Sequence, residues 1–330
     1  IFDAGGGLVV PIRGELRELA KGTIIAQAIR QQPVYPESVR PPNVRQQPGA
    51  LIKIEDAKRL IVLGDLHGRY DNLELVLADK DNWNAIKQGE AHLLFLGDAV
   101  HPSTSEGDQD AANYDSFRVL FLILSLRAEN PGNVHYLMGN HENSHAGGVG
   151  AGKGETDVEE AFTSFIREHF GQAVLDTYEA FLRDSPYAAR IRIGRGGHLL
   201  AVHASPSILV KNEQGLINLA AQGRLGKALT EIVWNRNFDP RTLFPALRAV
   251  ECQYAICGHT RPTAKAAAKY GFTCMHEPAF GHVHGKQMIV CSQNNTFGYL
   301  DIDLSYLPPQ TIEDLRAPDG KYAFRVLKRG

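Results

Sequence analysis

The sequence predicts an α/β protein in which two β-sheets form a sandwich that is flanked by helices. Short apolar runs alternate with helical patterns through residues 59–142, which is typical of parallel strands joined by helical crossovers. The second half contains four further apolar runs with only short helical segments between them. With 330 residues, of which 43% are hydrophobic and 22% charged, the chain can bury a sizeable core.

Residues 1–50 differ from the rest and are predicted to form an N-terminal arm outside a main domain at 51–330. Residues 14–30 have helical periodicity, with apolar side chains largely on one face. Residues 31–49 contain five prolines and are predicted to be an extended connector, because proline donates no backbone hydrogen bond and restricts the preceding residue. Two roles are open for this arm: packing across the domain or docking a partner.

The elements of the main domain follow from its periodicity. Three strands are predicted at 59–65, 91–98 and 133–142, and each reaches a Gly-Asp or Gly-Asn pair. Helical patterns lie between them, in RYDNLELVLAD and YDSFRVLFLILSLRAEN, and residues 155–183 are predicted to be mainly helical. Later strands are predicted at 196–204, 252–260, 287–295 and 297–304, with short helices near 214–221 and 243–250.

Charge and composition favour a soluble protein that neither inserts in a membrane nor binds nucleic acid. The formal net charge is −2, and the longest apolar run, residues 119–126, is too short to span a bilayer. The four cysteines form no C-x-x-C pair, which favours free thiols in a reducing, cytoplasmic compartment, with a Cys274–Cys291 bridge as the alternative. Because the sequence begins at Ile1, a targeting signal upstream of it stays open.

Side chains that can bind metal ions follow five of the predicted strands. The carboxyl ends of parallel strands meet at one edge of a sheet, so these side chains are expected to converge. Their mixture of oxygen and nitrogen donors suits two hard or borderline divalent ions, and the turns after the strands contribute no thiolate, which excludes a structural zinc finger. The residues are Asp65 and His67 in GDLHG, Asp98 in GDAVH, Asn140 and His141 in GNHE, His203 in AVHAS, and His259 in ICGHT.

This series of motifs resembles that of the metallophosphoesterase superfamily. GDLHG, GDAVH, GNHE, a later strand histidine and GHT occur in the order of that family, over roughly residues 58–305. The pattern is most similar to the phosphoprotein phosphatase branch, which includes calcineurin-like and small bacterial enzymes. The resemblance implies the calcineurin-like fold, a catalytic domain at 51–330 and two divalent ions, which would be manganese, iron or zinc.

The resemblance also implies how the motif residues share the two ions. Asp65 and His67 would bind the first ion, and Asp98 would bridge both. The second ion would be completed by Asn140, His203 and His259. Arg261 stands two positions after His259, where related nucleases and phosphodiesterases have a second histidine, and this favours the phosphatase branch. The GHVH segment at 281–284 has two-histidine spacing but follows no apolar strand, so His259 is preferred to His282 and His284.

For catalysis, the resemblance implies direct attack on phosphorus by a hydroxide that bridges the two ions, without a phosphoenzyme. His141 is the expected general acid for the leaving oxygen, and Glu142 is expected to orient its turn. Arg236 in VWNRNFDP resembles the phosphate-binding arginine of bacterial members. The expected catalytic residues are therefore His141, Asp98 and Arg236, and the expected substrate-binding residues are Arg236, Asn140 and His101.

The GDAVHPS segment departs from the family pattern G-D-x-V-D-R-G. His101 and Pro102 stand where the family has an aspartate that pairs with the general acid and an arginine that grips phosphate. One phosphate contact and one carboxylate partner are therefore missing. A less crowded entrance would suit phosphotyrosine, because a phenolate leaving group needs less acid assistance than a serine alkoxide.

Three functions stay open at this point. The leading one is a metal-dependent protein phosphatase that acts on phosphoserine, phosphothreonine or phosphotyrosine. The second is a dinucleoside tetraphosphatase or another small-molecule phosphohydrolase, which shares the motifs. The third is a phosphoprotein-binding pseudo-enzyme that His101 and Pro102 have weakened.

The glycine-rich segment at 147–154 suggests a nucleotide-binding P-loop at first sight. A P-loop requires Ser or Thr after its lysine, and Gly154 follows Lys153 here. The segment is therefore predicted to be a loop beside the metal site, with Lys153 or His145 as candidates for meeting the substrate, or a connector without such a role.

Overall fold

The computed structural model describes residues 35–101, 109–150, 158–305 and 310–329. The helix predicted at 14–30, together with Pro102 and Lys153, lies outside these ranges. The described residues form two β-sheets with helices around them, which confirms the predicted fold class.

The strands are β1 (Leu51–Ile54), β2 (Arg59–Leu63), β3 (His92–Phe95), β4 (Val134–Tyr136), β5 (Ala188–Ile193), β6 (Gly197–Val202), β7 (Tyr254–Cys257), β8 (Thr273–His276), β9 (Phe280–Val283), β10 (Gln287–Val290), β11 (Thr296–Asp303) and β12 (Phe324–Lys328). The α-helices are α1 (Tyr70–Ala78), α2 (Asn82–Lys87), α3 (Gln109–Glu129), α4 (Asn140–His145), α5 (Val158–Phe170), α6 (Gln172–Asp184), α7 (Glu213–Ile217), α8 (Lys227–Trp234), α9 (Pro240–Ala249) and α10 (Ala264–Tyr270).

Each sheet contains parallel strands whose carboxyl ends carry the motifs. The five-stranded sheet has the order β12-β11-β2-β3-β4, with β2, β3 and β4 parallel. The seven-stranded sheet has the order β1-β5-β6-β7-β10-β9-β8, with β6, β7 and β10 parallel. The sequence motifs GDLHG, GDAVH and GNHE follow the first set of parallel strands, and AVHAS and GHT follow β6 and β7.

Strand periodicity divides the core into two layers. Leu60 and Val62 of β2 pack in one cluster with Met288 and Val290 of the other sheet, which fills the space between the sheets. The alternate side chains of β2 belong to a second cluster, which includes the helices. Strands buried on both faces have no polar side, and this explains the continuous apolar runs in the sequence.

The predicted helices are confirmed in the described residues. Helix α3 contains the apolar run 119–126, all of which is buried. Helices α5 and α6 cover most of the segment predicted to be helical at 155–183. None of the described helices combines the length and apolarity that crossing a membrane requires. All four cysteines are free, so the alternative Cys274–Cys291 bridge is not formed.

Some elements differ from the sequence prediction. The third predicted strand stops at Tyr136, and GNHE begins helix α4, because Glu142 folds back to accept the backbone N–H of Gly139. Strands β1, β5, β8, β9 and β12 are absent from the prediction. They are short or contain charged residues, and pairing with neighbouring strands decides their conformation.

The described end of the N-terminal arm packs on the domain. The Arg40 side chain donates to the Gly49 carbonyl at 2.6 Å, and the Lys53 backbone N–H donates to Val39 at 2.7 Å. The Ala50 N–H reaches the Ile217 carbonyl at 2.9 Å. Residues 35–50 therefore pack on the domain, while docking of a partner by the arm and the domain boundary at residue 50 stay predictions.

A pair of histidines, of which His135 is buried and His92 partly buried, lies where the arm meets the smaller sheet. His135 Nε2 lies 3.0 Å from His92 Nδ1, and the Tyr35 hydroxyl is 3.2 Å from His135 Nδ1. Burial holds the pKa of His135 well below its ordinary value, and the neighbouring His92 and Arg127 add to this effect. Burial also lowers the pKa of His92.

This pair is predicted to make stability depend on pH. In the unfolded chain these imidazoles bind protons near pH 6.5, whereas in the folded protein they resist protonation. The free energy of unfolding should therefore be retained above about pH 6.5 and fall as the pH drops further, towards the lowered pKa values. His135→Gln should flatten this dependence between about pH 5 and 7 in urea unfolding. His276→Gln, at an exposed position, is the control. If the free energy of unfolding of His135→Gln changed with pH as steeply as that of wild type, the prediction would be contradicted.

Candidate metal centre

The two sheets meet at the edge where the motifs lie. The backbone of Asp65, just after β2, forms a parallel bridge with Cys291, just after β10. Glycines permit the close approach of the loops: a Cβ at Gly139 would overlap Asp98 Oδ1, and a Cβ at Gly258 would overlap Asp65 Oδ1. The glycines of GNHE and GHT are thus needed for the carboxylates to lie against neighbouring loops.

Three of the predicted ligands have a left-handed backbone conformation. The φ angles are +47° for His67, +53° for Asp98 and +61° for His259. Such angles are unfavourable for residues with a Cβ and persist where the surrounding structure enforces them, which is common at functional sites.

Glu142 holds two of the site loops together. Its carboxylate accepts backbone N–H groups from Asp98 at 2.8 Å, Ala99 at 2.9 Å and Gly139 at 3.1 Å. Burial raises the pKa of Glu142, and the neighbouring Asp98 adds to this effect. Glu142 therefore has the contacts of a residue that orients the turns.

Asp98 lies at the centre of the predicted ligands. Its Oδ2 is 3.4 Å from His203 Nε2, 3.7 Å from His67 Nε2 and 4.0 Å from His141 Nε2. Its Oδ1 accepts the His141 backbone N–H at 3.1 Å. This carboxylate is shared by two clusters of donor atoms that each lie within 4.8 Å, one with His67 and His141 and the other with His203 and His259.

The second cluster contains the remaining predicted ligands. His203 Nε2 lies 2.9 Å from Asn140 Oδ1 and 3.2 Å from His259 Nδ1. His203 Nδ1 donates to the Leu96 carbonyl at 2.9 Å, and this bond directs Nε2 into the site. His259 Nε2 is buried without a hydrogen-bond partner in the part of the chain that the structure describes.

Asp65 and His67 form the other side of the centre. Asp65 Oδ1 accepts the His259 backbone N–H at 2.8 Å, and its Oδ2 lies 3.8 Å from His67 Nε2. The Val100 carbonyl accepts from His67 Nδ1 at 3.0 Å and leaves Nε2 facing the carboxylates.

The electrostatics of these groups suit cations. Burial alone would raise the pKa of Asp98, but the His203 and His141 imidazoles outweigh it and hold this pKa well below the ordinary value. Burial opposes protonation of His203, yet Asp98 raises the pKa of His203 to about 9. Positive charge beside Asp98 is therefore strongly favoured. The buried oxygen and nitrogen donors fit divalent ions, and a chain of contacts no longer than 3.8 Å links all six predicted ligands.

A cavity of about 560 Å³ opens over this centre. Its floor contains the metal-site side chains and His141, and its walls include Trp234, Arg236, Arg261 and Tyr270. Arg236 donates to the His259 carbonyl at 3.4 Å, and this contact positions it beside the second cluster. The predicted phosphate-binding arginine thus lines the same cavity as the predicted ligands.

His101 is not placed where the sequence analysis expects it. It is buried with 1% of its surface exposed, and its Nε2 lies 2.6 Å from His145 Nε2 in a stacked pair. The ring packs against Phe162 and behind His141 instead of lining the cavity. The expectation that His101 contacts the substrate is therefore corrected: an apolar helix face covers this position.

The rival GHVH histidines lie away from the cluster. GHVH overlaps strand β9 instead of following an apolar strand, and His282 pairs with Glu313 instead of joining the metal-site donors. His259 is the histidine that reaches the centre.

The cavity walls contain residues that sequence reasoning missed. Thr263, Ala266 and Tyr270 come from α10, a helix with no buried residue, and Trp234 ends α8. The face of AKAAAKY that packs against the core consists of Ala266, Ala267 and Tyr270, and so short a face made mostly of alanine gives only a weak periodic signal. Only its position directly after GHT could have indicated a role near the site.

Comparison with known proteins identifies the family. Residues 58–285, more than half of the chain, match the sequence model of the calcineurin-like phosphoesterases. The chain belongs to the calcineurin-like phosphoesterase family. As a member, it is a metal-dependent phosphoesterase, and the two clusters around Asp98 are candidate sites for its metal ions. A search of curated proteins returned no match.

Solved structures of similar fold support this placement. One is a protein serine/threonine phosphatase from Saccharomyces cerevisiae with similarity to human phosphatase PP5, at TM-score 0.60 and 15% identity, covering 99% of this chain and 92% of that chain. Another is the cold-active protein-tyrosine phosphatase of the psychrophile Shewanella sp., at TM-score 0.56 and 18% identity. The match covers 91% of this chain and 84% of that chain. At these identities the likeness concerns the fold.

Removing the Glu142 carboxylate is predicted to weaken the metal centre. In Glu142→Ala three backbone N–H groups lose their acceptor, and each unsatisfied buried donor costs about 1–3 kcal/mol. We expect a loss of about 3 kcal/mol or more in the free energy of unfolding and weaker manganese binding by calorimetry. Both quantities should be intermediate in Glu142→Gln, between those of Glu142→Ala and wild type. Glu179→Ala, on exposed α6, is the control. Equal stability and metal affinity of the two alanine variants would refute the positioning role.

Proposed function

We propose that this protein is a metal-dependent protein phosphatase that hydrolyses phosphate monoesters on serine, threonine or tyrosine side chains. The observation that carries the proposal is one buried carboxylate, Asp98, shared by two donor clusters beneath a cavity that also contains Arg236. The family membership supports phosphoester chemistry. The two fold relatives named above are described as protein phosphatases, and this favours a phosphoprotein substrate.

The chain's own residues supply the parts that the reaction needs. Asp65, His67 and Asp98 would hold one divalent ion, and Asp98, Asn140, His203 and His259 the other. Bound ions of this kind acidify water and neutralise phosphoryl charge. Arg236 would hold the phosphoryl oxygens by paired N–H donors.

Hydrolysis of the monoester consumes one water, and the proton that this water loses replaces the one given to the leaving oxygen. A bond forms between the water oxygen and phosphorus, and the bond from phosphorus to the side-chain oxygen breaks. The leaving oxygen takes a proton, for which His141 on the cavity floor is the donor. The imidazole lies 4.0 Å from Asp98, and Asn140 beside it contributes to the second cluster.

The surroundings of His141 favour an aromatic phosphoester. His101 stands in place of the usual aspartate, and its side chain is a buried imidazole whose ring is tilted against that of His141, with the ring centroids 5.3 Å apart. An imidazole at this position cannot supply to His141 the negative charge of the usual aspartate, and a phenolate leaving group needs less assistance from a general acid than an alkoxide. Trp234 and Tyr270 in the cavity walls offer apolar contact to a phosphotyrosine ring.

A panel of matched phosphopeptides tests this function. With manganese added, the protein should release phosphate from phosphotyrosine peptides with kcat/KM about tenfold or more above phosphoserine and phosphothreonine peptides. Asp98→Asn should lose at least about a hundredfold in activity, since even outer partners of metal ligands cost ten- to a hundredfold.

The same assay also tests the competing functions, with diadenosine tetraphosphate and p-nitrophenyl phosphate as additional substrates. Faster turnover of phosphoserine than phosphotyrosine would contradict the proposed preference. Preferential cleavage of diadenosine tetraphosphate would replace the protein-phosphatase function with a small-molecule one. Failure to hydrolyse p-nitrophenyl phosphate at any manganese concentration would point to a binding protein instead.

A further inference from the structure

A second guanidinium group lines the cavity over the metal centre. Arg261 follows β7 by four residues and, like Arg236, belongs to the cavity wall. In the part of the chain that the structure describes, the Arg261 side chain has no ion pair or hydrogen bond. Arg236 has no carboxylate partner there either, because it donates only to the His259 carbonyl. The cavity therefore contains two arginines whose charges no neighbouring side chain neutralises.

The backbone around Arg261 is held while its side chain is exposed. Thr260 is 4% exposed and Pro262 is buried, and the Pro262 carbonyl accepts from the Cys274 thiol at 3.4 Å. Thr263 then caps α10 by accepting the Ala266 N–H at 3.1 Å. Arg261 thus extends from a fixed segment between β7 and α10, which is the arrangement expected of a positioned anion contact.

The two arginines approach the centre at different places. Arg236, after α8, reaches the carbonyl of His259. Arg261 lies near Cys291: burial raises the pKa of this thiol to about 12, and the Arg261 guanidinium is close enough to oppose the rise. Cys291 in turn pairs with the backbone of Asp65. An oxyanion placed over the donor clusters would therefore have a guanidinium available from each of two separate loops.

We propose that Arg261 is a second phosphate-contacting residue, which binds an oxygen of the phosphoryl group that Arg236 also holds. The proposal rests on the phosphatase function proposed above. In the sequence, Pro102 stands where the family resemblance leads one to expect an arginine in GDAVHPS. Arg261 supplies a guanidinium group from another loop. A phosphate dianion with three terminal oxygens can accept from two guanidinium groups at once.

Binding of inorganic phosphate to the manganese-loaded protein tests the inference directly. Calorimetry should show that Arg261→Ala weakens phosphate binding about tenfold or more, the usual effect of losing a charge-assisted hydrogen bond. The phosphate affinity of Arg261→Lys should lie between those of wild type and Arg261→Ala, because an ammonium group keeps the positive charge but lacks the paired N–H donors of a guanidinium. Inhibition of p-nitrophenyl phosphate hydrolysis by phosphate should weaken in the same order, and Arg236→Ala serves as the positive control.

Lys265→Ala is the matched control, because it removes the same charge from the exposed part of α10 outside the cavity wall. It should change phosphate affinity less than about twofold, since exposed charges are screened by solvent and salt. Equal affinities of Arg261→Ala and Lys265→Ala would overturn the inference. The inference would also be overturned if Arg261→Ala bound phosphate as tightly as wild type and only its KM for acidic phosphopeptides rose, because Arg261 would then contact the peptide.

The two proposals can fail separately. If wild-type protein binds phosphate through Arg261 but hydrolyses no phosphopeptide, the protein-phosphatase function fails and the inference stands. If wild-type protein hydrolyses phosphopeptides and Arg261→Ala keeps full phosphate affinity, only the inference fails. Absence of phosphate binding by manganese-loaded wild-type protein would overturn the inference as well.

Discussion

The buried carboxylate of Asp98 is the constraint on which the rest of the centre depends. A carboxylate that is 1% exposed is strongly unfavourable unless cations or donors surround it. Here His203, His67 and His141 lie within 4.0 Å of one of its oxygens, and the His141 backbone donates to the other. Its backbone has φ +53°, and Glu142 accepts its N–H. The fold thus maintains an unfavourable conformation and an unfavourable charge at one residue, which is the arrangement expected where metal ions complete the site.

Much of this arrangement could be predicted from the sequence because parallel strands bring their carboxyl ends to one edge. Asp65, Asp98 and Asn140 follow neighbouring strands of one sheet, and His203 and His259 follow neighbouring strands of the other. The periodicity that predicts those strands therefore also predicts that the side chains after them converge. Pairing of the two sheets at Asp65 and Cys291 was not foreseeable, because it depends on contacts between segments more than two hundred residues apart.

The features that the sequence missed are those that tertiary packing decides. His101 was expected at the entrance, but its neighbours Phe162 and His145 enclose it, and the pattern around GDAVHPS contains no sign of either. Helix α10 has only a short apolar face made mostly of alanine and no fully buried residue, so periodicity could not indicate that Tyr270 lines the cavity. The altered motif has a physical consequence that the structure makes clear. Burial lowers the pKa of His101 well below its ordinary value, and the nearby His145 adds to this effect, so His101 cannot supply the negative charge of an aspartate.

Crystals grown with manganese and measured near its absorption edge would show whether Asp98 is shared by two metal ions. We expect two anomalous peaks separated by the Asp98 carboxylate, one bound by Asp65 and His67 and the other by Asn140, His203 and His259. A single peak, or none, with the Asp98 side chain directed away from His203 would contradict it.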